Sequence, residues 1–259
     1  MRIALGIEYD GTGFYGWQRQ SDGRTVQACV EAALSEVADH EVKVVCAGRT
    51  DTGVHATGQV IHFDSSAERA MKGWIRGTNA HLPPDVRVQW SRPMDESFHA
   101  RFTATRRHYR YIIHNDPVRS ALLRNRVAWE YQYLDESRMA SAARYLLGEH
   151  DFTSFRAVAC QAHSPVRTIH HLELKRTGNC IYLDIKANAF LHHMVRCIAG
   201  VLIAVGRGEQ APGWVEELLA AKDRHLSGMN ASPAGLYLVA VSYPEKFELP
   251  SGGCLPVYS

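Results

Sequence analysis

None of the six cysteines, Cys29, Cys46, Cys160, Cys180, Cys197 and Cys254, forms a Cys-x-x-Cys pair. That argues against a zinc module and for reduced, mostly buried thiols. No apolar run approaches the roughly 20 residues of a membrane span. The longest, Ile198 to Val205, is far shorter, and Glu8 follows the N-terminus too soon for a signal peptide. A cytoplasmic protein with no membrane partner is expected. The glycine-punctuated stretch Asp10 to Trp17 lacks a full dinucleotide fingerprint, so no cofactor is assigned. Asp51-Thr52-Gly53 is the tripeptide of aspartic proteases, but there is no second Asp-Thr/Ser-Gly to share the proton which that chemistry needs. The pairs His170-His171 and His192-His193 do not read as metal ligands, because neighbours diverge on a strand and sit about 100° apart on a helix.

Net charge is also small, +2 over 259 residues, yet it is unevenly spread. Residues 1–100 carry 10 Lys+Arg against 13 Asp+Glu, whereas 101–259 carry 19 against 14. Seven arginines and one acid, Asp116, lie between Arg101 and Arg126, with Phe102, Tyr109 and Tyr111 among the first four. Arginine interleaved with aromatics suits phosphate contact and base stacking. The plainer reading is a solvated strand face. A hydrophobic content of 46% and a charged content of 22% fit one large globular domain or two ordinary ones.

Patterning predicts strands at Ile3 to Tyr9, Val42 to Val45, Gln59 to Phe63 and Val86 to Trp90. Helices fall at Val26 to Ala38, capped by Thr25, and at Glu68 to Arg76. From His108 the order repeats: strand 108–113, helix 136–147, hairpin 168–175/180–187, helix 190–205 and strand 236–241, with an extra helix over 214–221. Both halves thus read β-α-β-β-α-β, the order of ferredoxin-like units. The expected fold is α+β, with two ferredoxin-like units, 1–104 and 105–259, whose mainly antiparallel sheets lie side by side around a central RNA-binding cleft.

The stretch Cys46 to Ala56 holds a single carboxylate, Asp51, in a glycine-bracketed turn between strands. Arg49 is two residues away and, on an extended backbone, would point the same way. Such a pair keeps a carboxylate ionised and aimed, as a nucleophile or general base requires. A polar hairpin turn is the alternative.

Ala47-Gly48-Arg49-Thr50-Asp51-Thr52-Gly53-Val54-His55-Ala56 resembles the signature of the tRNA pseudouridine synthase A family. So do Arg107-x-Tyr109-x-Tyr111, Phe190 to Arg196 and Gly235-Leu236-Tyr237-Leu238, as well as Gly16 to Gln20 and Asp151 to Arg156. The likeness spans nearly the whole chain. It implies an isomerase that converts uridine to pseudouridine at positions 38, 39 and 40 of the tRNA anticodon stem-loop, acting as a homodimer with neither cofactor nor metal. By the same resemblance Asp51 is the catalytic aspartate, Tyr109 stacks on the target uracil, Arg196 pairs with the aspartate and Leu236 walls the base pocket. Arg49 is then left to touch the RNA backbone. A non-catalytic RNA-binding protein would account for the Arg/Tyr segment but not for the Asp51 turn.

Overall fold

The computed structural model describes residues 1–259 except Met229, Ser251 and Ser259. In chain order the elements are β1 (Arg2–Tyr9), α1 (Val26–Ala38), β2 (Val45–Cys46), β3 (His55–Asp64), α2 (Met71–His81), β4 (Val86–Met94) and β5 (Arg106–Asn115). There follow β6 (Ala128–Glu130), α3 (Glu136–Ala143), β7 (Gly148–Asp151), β8 (Val166–Thr177), β9 (Cys180–Ala187), α4 (Met194–Gly206), α5 (Trp214–Ala221) and β10 (Leu236–Ser242). The class is α+β with mostly antiparallel pairing. No helix among the described residues is long and apolar enough to cross a membrane.

The chain divides into two compact units. The first comprises residues 1–106 and 237–256, the second 107–236 and 257–259. This corrects the division at 104/105, which left the last strand wholly in the second half. Parallel pairing of Tyr237 with His55 and Leu238 with Ala56 joins β10 to β3, and the Gly253 amide bonds to Val239 O at 3.0 Å. Partners so distant in sequence leave no trace in local patterning.

In the first unit β1 lies between β3 and β4, antiparallel to both, and β2 also pairs with β3. Ile3, Leu5 and Ile7 are buried, and Ala4, on the opposite face, packs with Val60, Phe98, Ala100 and Phe247, so β1 is covered on both sides. Thr25 caps α1 as expected, its hydroxyl accepting from the Ala28 amide. The strand expected over Val42 to Val45 shrinks to Val45–Cys46. The Val42 amide is taken by Ser35 Oγ (2.9 Å) and the Val44 amide by Glu31 Oε1 (3.0 Å), so neither is offered to a neighbouring strand.

In the second unit the strand order is β5-β9-β8-β7, each antiparallel to the next, with β6 parallel to β5. The short strands β6 and β7 were not expected. Nor does the buried helix begin at Phe190: His193 adopts φ 63°, ψ 1°, a left-handed conformation that a helix cannot continue through, and α4 starts at Met194. Arg196 therefore stands in the first turn of α4.

Candidate active site

Asp51 is half-buried in the turn before β3, and the loop after β1 holds that turn from behind. Trp17 N–H donates to Thr50 O (3.0 Å), and Gly53 N–H donates to Phe14 O (3.3 Å). Within the turn the Val54 amide reaches Asp51 O (3.1 Å), and the Tyr9 and Thr50 hydroxyls meet at 2.8 Å in the interior. The same loop is tied to the start of α1, with Val26 N–H donating to Gly16 O (3.2 Å) and Gln27 N–H to Trp17 O (2.9 Å). Gly16 is required here. Its φ is +86°, and a Cβ on it would stand 2.7 Å from Thr50 O and 3.1 Å from the carbonyl carbon of Asp51. Backbone bonds between two loops thus fix the position of the Asp51 backbone.

A second layer supports the first. The Gly11 amide donates to His55 Nδ1 (3.0 Å), and the Asp10 carboxylate lies 3.2 Å from the same nitrogen. Contact with His55, aided by the Thr12 hydroxyl and amide, outweighs burial and holds the Asp10 carboxyl well below the usual carboxylate range. The His55 ring stacks on Tyr237, centroids 4.6 Å apart. Sequence reading passed over Tyr9, Asp10 and His55 as supports. Their one signal was position, at the ends of strands flanking the turn.

Arg49 is exposed, and its charge acts on Cys46, whose thiol burial pushes up to about 11 against that influence. No ion pair between Arg49 and Asp51 is formed among the described residues.

In the second unit Tyr109 lies on β5, buried, with the Phe190 ring edge-on at 5.0 Å. Tyr111, two residues on and on the same face, is fully buried, and its hydroxyl donates to Ser232 O (2.8 Å). Burial pushes the Tyr111 phenol far above its ordinary value, against the influence of the nearby Arg196 charge. Arg196 is laced to the segment before β10: its Nε donates to Ala231 O (2.9 Å), and its carbonyl accepts from Ala231 N–H (3.0 Å). Leu236 opens β10 and is buried. Tyr111 therefore links β5, the first turn of α4 and the approach to β10, the three elements that carry Tyr109, Arg196 and Leu236.

The arginine-rich segment splits by face. Arg110 makes a two-point contact with Asp184 on β9 (Nε–Oδ1 3.0 Å, Nη2–Oδ2 2.7 Å), and His108 reaches Asp184 at 2.9 Å. Burial raises the Asp184 carboxyl, but these partners more than offset it and hold it at about 2. Arg110 is thus committed to the sheet, which corrects its reading as a free phosphate contact. Arg101 remains exposed beside Phe102, itself 74% exposed and stacked on His99 at 4.2 Å, a solvent-facing surface of the kind RNA uses.

The family model described as tRNA pseudouridine synthase matches residues 6–103 and 142–244, which carry Asp51, Arg196 and Leu236. A tRNA pseudouridine synthase A of Vibrio cholerae serotype O1 is 56% identical over 258 residues, covering 100% of this chain and 98% of the relative. One of Nitrosococcus oceani is 57% identical over 250 residues, 96% of each chain, and one of Colwellia psychrerythraea is 55% identical over 258 residues, 100% of each. Among solved structures, a chain of a Cbf5-Nop10-Gar1 complex aligns over 91% of this chain and 57% of its own with TM-score 0.38 and 10% identity, too slight a likeness to bear on the fold. With a family model matched across most of its length and full-length relatives above half identity, the chain belongs to the tRNA pseudouridine synthase family.

Proposed function

We propose that this protein converts uridine to pseudouridine at positions 38, 39 and 40 in the anticodon stem-loop of tRNAs, with Asp51 as the reacting carboxylate. As a member of its family it is an enzyme, an isomerase acting on tRNA. The finer reading rests on one observation. The chain invests an interlocked pair of loops, Tyr9 to Trp17 and Thr50 to Gly53, in holding one half-buried carboxylate at a fixed backbone position.

The reaction breaks the N1–C1′ bond of uridine, turns the uracil and joins C5 to C1′. One proton leaves C5 and one arrives at N1. No electrons and no water are consumed, so the chemistry calls for no cofactor. What it requires is a group that stabilises C1′ or C6 while the base is detached, then removal of the C5 proton. A carboxylate serves by adding to C1′ or C6, or by taking the C2′ proton on the way to a glycal. In a stem the uridine must first leave the helix, at a cost of a few kcal/mol. In this reading Tyr109 offers a ring for the extruded uracil, Leu236 an apolar wall, Arg196 a cation for Asp51, and Arg49 a contact to the RNA backbone. The scaffold is read as two ferredoxin-like halves, and the working form as a cytoplasmic homodimer.

The test is Asp51→Ala and Asp51→Asn against wild type on unmodified tRNA transcripts, with pseudouridine located by base-resolved mass spectrometry and RNA affinity measured alongside. Turnover is expected to vanish at all three positions while affinity is retained. Product formation by purified Asp51→Ala protein would defeat the assignment.

A further inference from the structure

Of the three aromatics in the loop after β1, Phe14 and Trp17 are buried, whereas Tyr15 is 58% exposed. Its backbone is nonetheless fixed. The Tyr15 amide donates to Arg24 O (2.9 Å), and the Tyr15 carbonyl accepts from Gln20 Nε2 (2.8 Å). The ring lies against Gly23, where a Cβ would stand 2.7 Å from Cδ2 and 3.0 Å from Cγ, and so fills space that a side chain there would take. Arg24 anchors this return limb of the loop. It makes a two-point contact with Asp85 (Nη1–Oδ2 2.6 Å, Nη2–Oδ1 2.7 Å) and covers the Phe14 ring at 4.2 Å. A two-torsion aromatic held at its root and backed by Gly23 loses little freedom on meeting a ligand.

Tyr15 is also tied to the Asp51 turn. Residues on either side of it make both bonds between the loops, Phe14 O accepting from Gly53 N–H and Trp17 N–H donating to Thr50 O. A Cβ on Gly16 would stand 3.1 Å from the Asp51 carbonyl carbon, which by chain geometry leaves the Tyr15 Cα no more than about 8.5 Å from that atom. Bases stacked along a strand are about 3.4 Å apart, so the neighbours of a nucleotide reacting at Asp51 lie at the same scale of distance. The arginines of the loop are already committed, Arg24 to Asp85 and Arg19 to Glu31 (2.6 Å). What the loop offers RNA is a ring.

We propose that Tyr15 is a stacking platform for the base next to the target uridine, holding that neighbour in place while the uridine is extruded. The proposal rests on the reading of Asp51 as the reacting carboxylate. Stacking on an aromatic face tolerates any base, as targets at three positions with different neighbours require.

The test uses stem-loop RNAs with 2-aminopurine on the 5′ or the 3′ side of the target uridine, bound to Asp51→Asn protein. Stacking on Tyr15 should quench the probe in one of the two RNAs, and adding Tyr15→Leu should restore its emission. On unmodified tRNA, Tyr15→Leu in the otherwise native protein should raise Kd and KM about tenfold while kcat changes less than about threefold. Tyr15→Trp, which keeps an aromatic face, should return Kd and KM to within about threefold of wild type. The slope of log Kd against log salt should stay at its wild-type value, because no phosphate contact is lost. An unchanged Kd in Tyr15→Leu, a shallower salt slope, or emission that ignores the substitution overturns the proposal. So does a fall in kcat at unchanged Kd, which would make Tyr15 a buttress of the Asp51 turn. Turnover by Asp51→Ala would strike the reading of the carboxylate alone, and the affinity and quenching contrasts would still decide Tyr15.

Discussion

Replacing Gly16 with alanine should slow the enzyme without touching any group that meets substrate. Two costs add. The residue sits at φ +86°, where an L side chain is disfavoured by about 1–2 kcal/mol. The new methyl would also stand 2.7 Å from Thr50 O, well inside ordinary contact, and that oxygen belongs to the peptide leading into Asp51. Thr50 O already accepts from Trp17 N–H, so it cannot retreat without breaking the bond that couples the two loops. Relief has to come from a shift of the Asp51 turn by several tenths of an ångström. We expect Gly16→Ala to lose about 2–4 kcal/mol of stability and to lower turnover on the order of tenfold, a fraction of the roughly hundredfold cost of misplacing a reacting group by about 1 Å. RNA affinity should change little. The assay is release of tritium from C5 of labelled uridine in an unmodified transcript, at a temperature where urea titration shows the variant folded. Gly178→Ala is the control: φ there is +55°, but no heavy atom lies within 4 Å of the added carbon, so it should lose about 1 kcal/mol and no activity. Turnover of Gly16→Ala within about threefold of wild type would refute the claim that this loop positions Asp51.

Other perturbations probe the scaffold and the Tyr109 ring. His62 is buried with its Nδ1 accepting from the Ala100 amide (3.1 Å), and burial, with the His99 and Arg2 charges beside it, holds its pKa at about 4. Because that lies below the unfolded value of about 6.5, the stability from neutral His62 is complete above pH 6.5 and is lost as pH falls through 4, on the order of 3 kcal/mol. Urea midpoints at pH 7.5 and pH 4.5 should therefore separate less in His62→Asn than in wild type, and equal separations would dismiss His62 as the cause. Glu31 is a buried carboxylate within α1 that pairs with Arg19 (2.6 Å) and accepts from Gln27 Nε2 and the Val44 amide. Glu31→Ala strands the Val44 N–H and should cost about 2–4 kcal/mol, Glu31→Gln clearly less; equal losses by thermal melting would show that the amide bond contributes nothing. Tyr109→Ala should reduce kcat/KM about tenfold to a hundredfold through lost stacking while Tyr109→Phe stays near wild type. A Phe variant as impaired as Ala would shift the role to the hydroxyl.

The sequence determined what depends on neighbours a few residues apart. Thr25 and the apolar stripe from Val26 set both ends of α1, the run Trp214 to Ala221 became α5 unaltered, and β9 spans the predicted residues, because capping, periodicity and hairpin turns act within one or two turns of chain. The placing of Asp51 in a glycine-bracketed turn was legible for a similar reason, since that pattern is local. The rest waited on partners far away in the chain. Glu31 and Ser35 on α1 took the amides that would have extended β2, Asp184 claimed Arg110, and β3 drew β10 into the first unit. Hydrogen-bond donors and acceptors must be matched somewhere, and only the tertiary structure decided with whom.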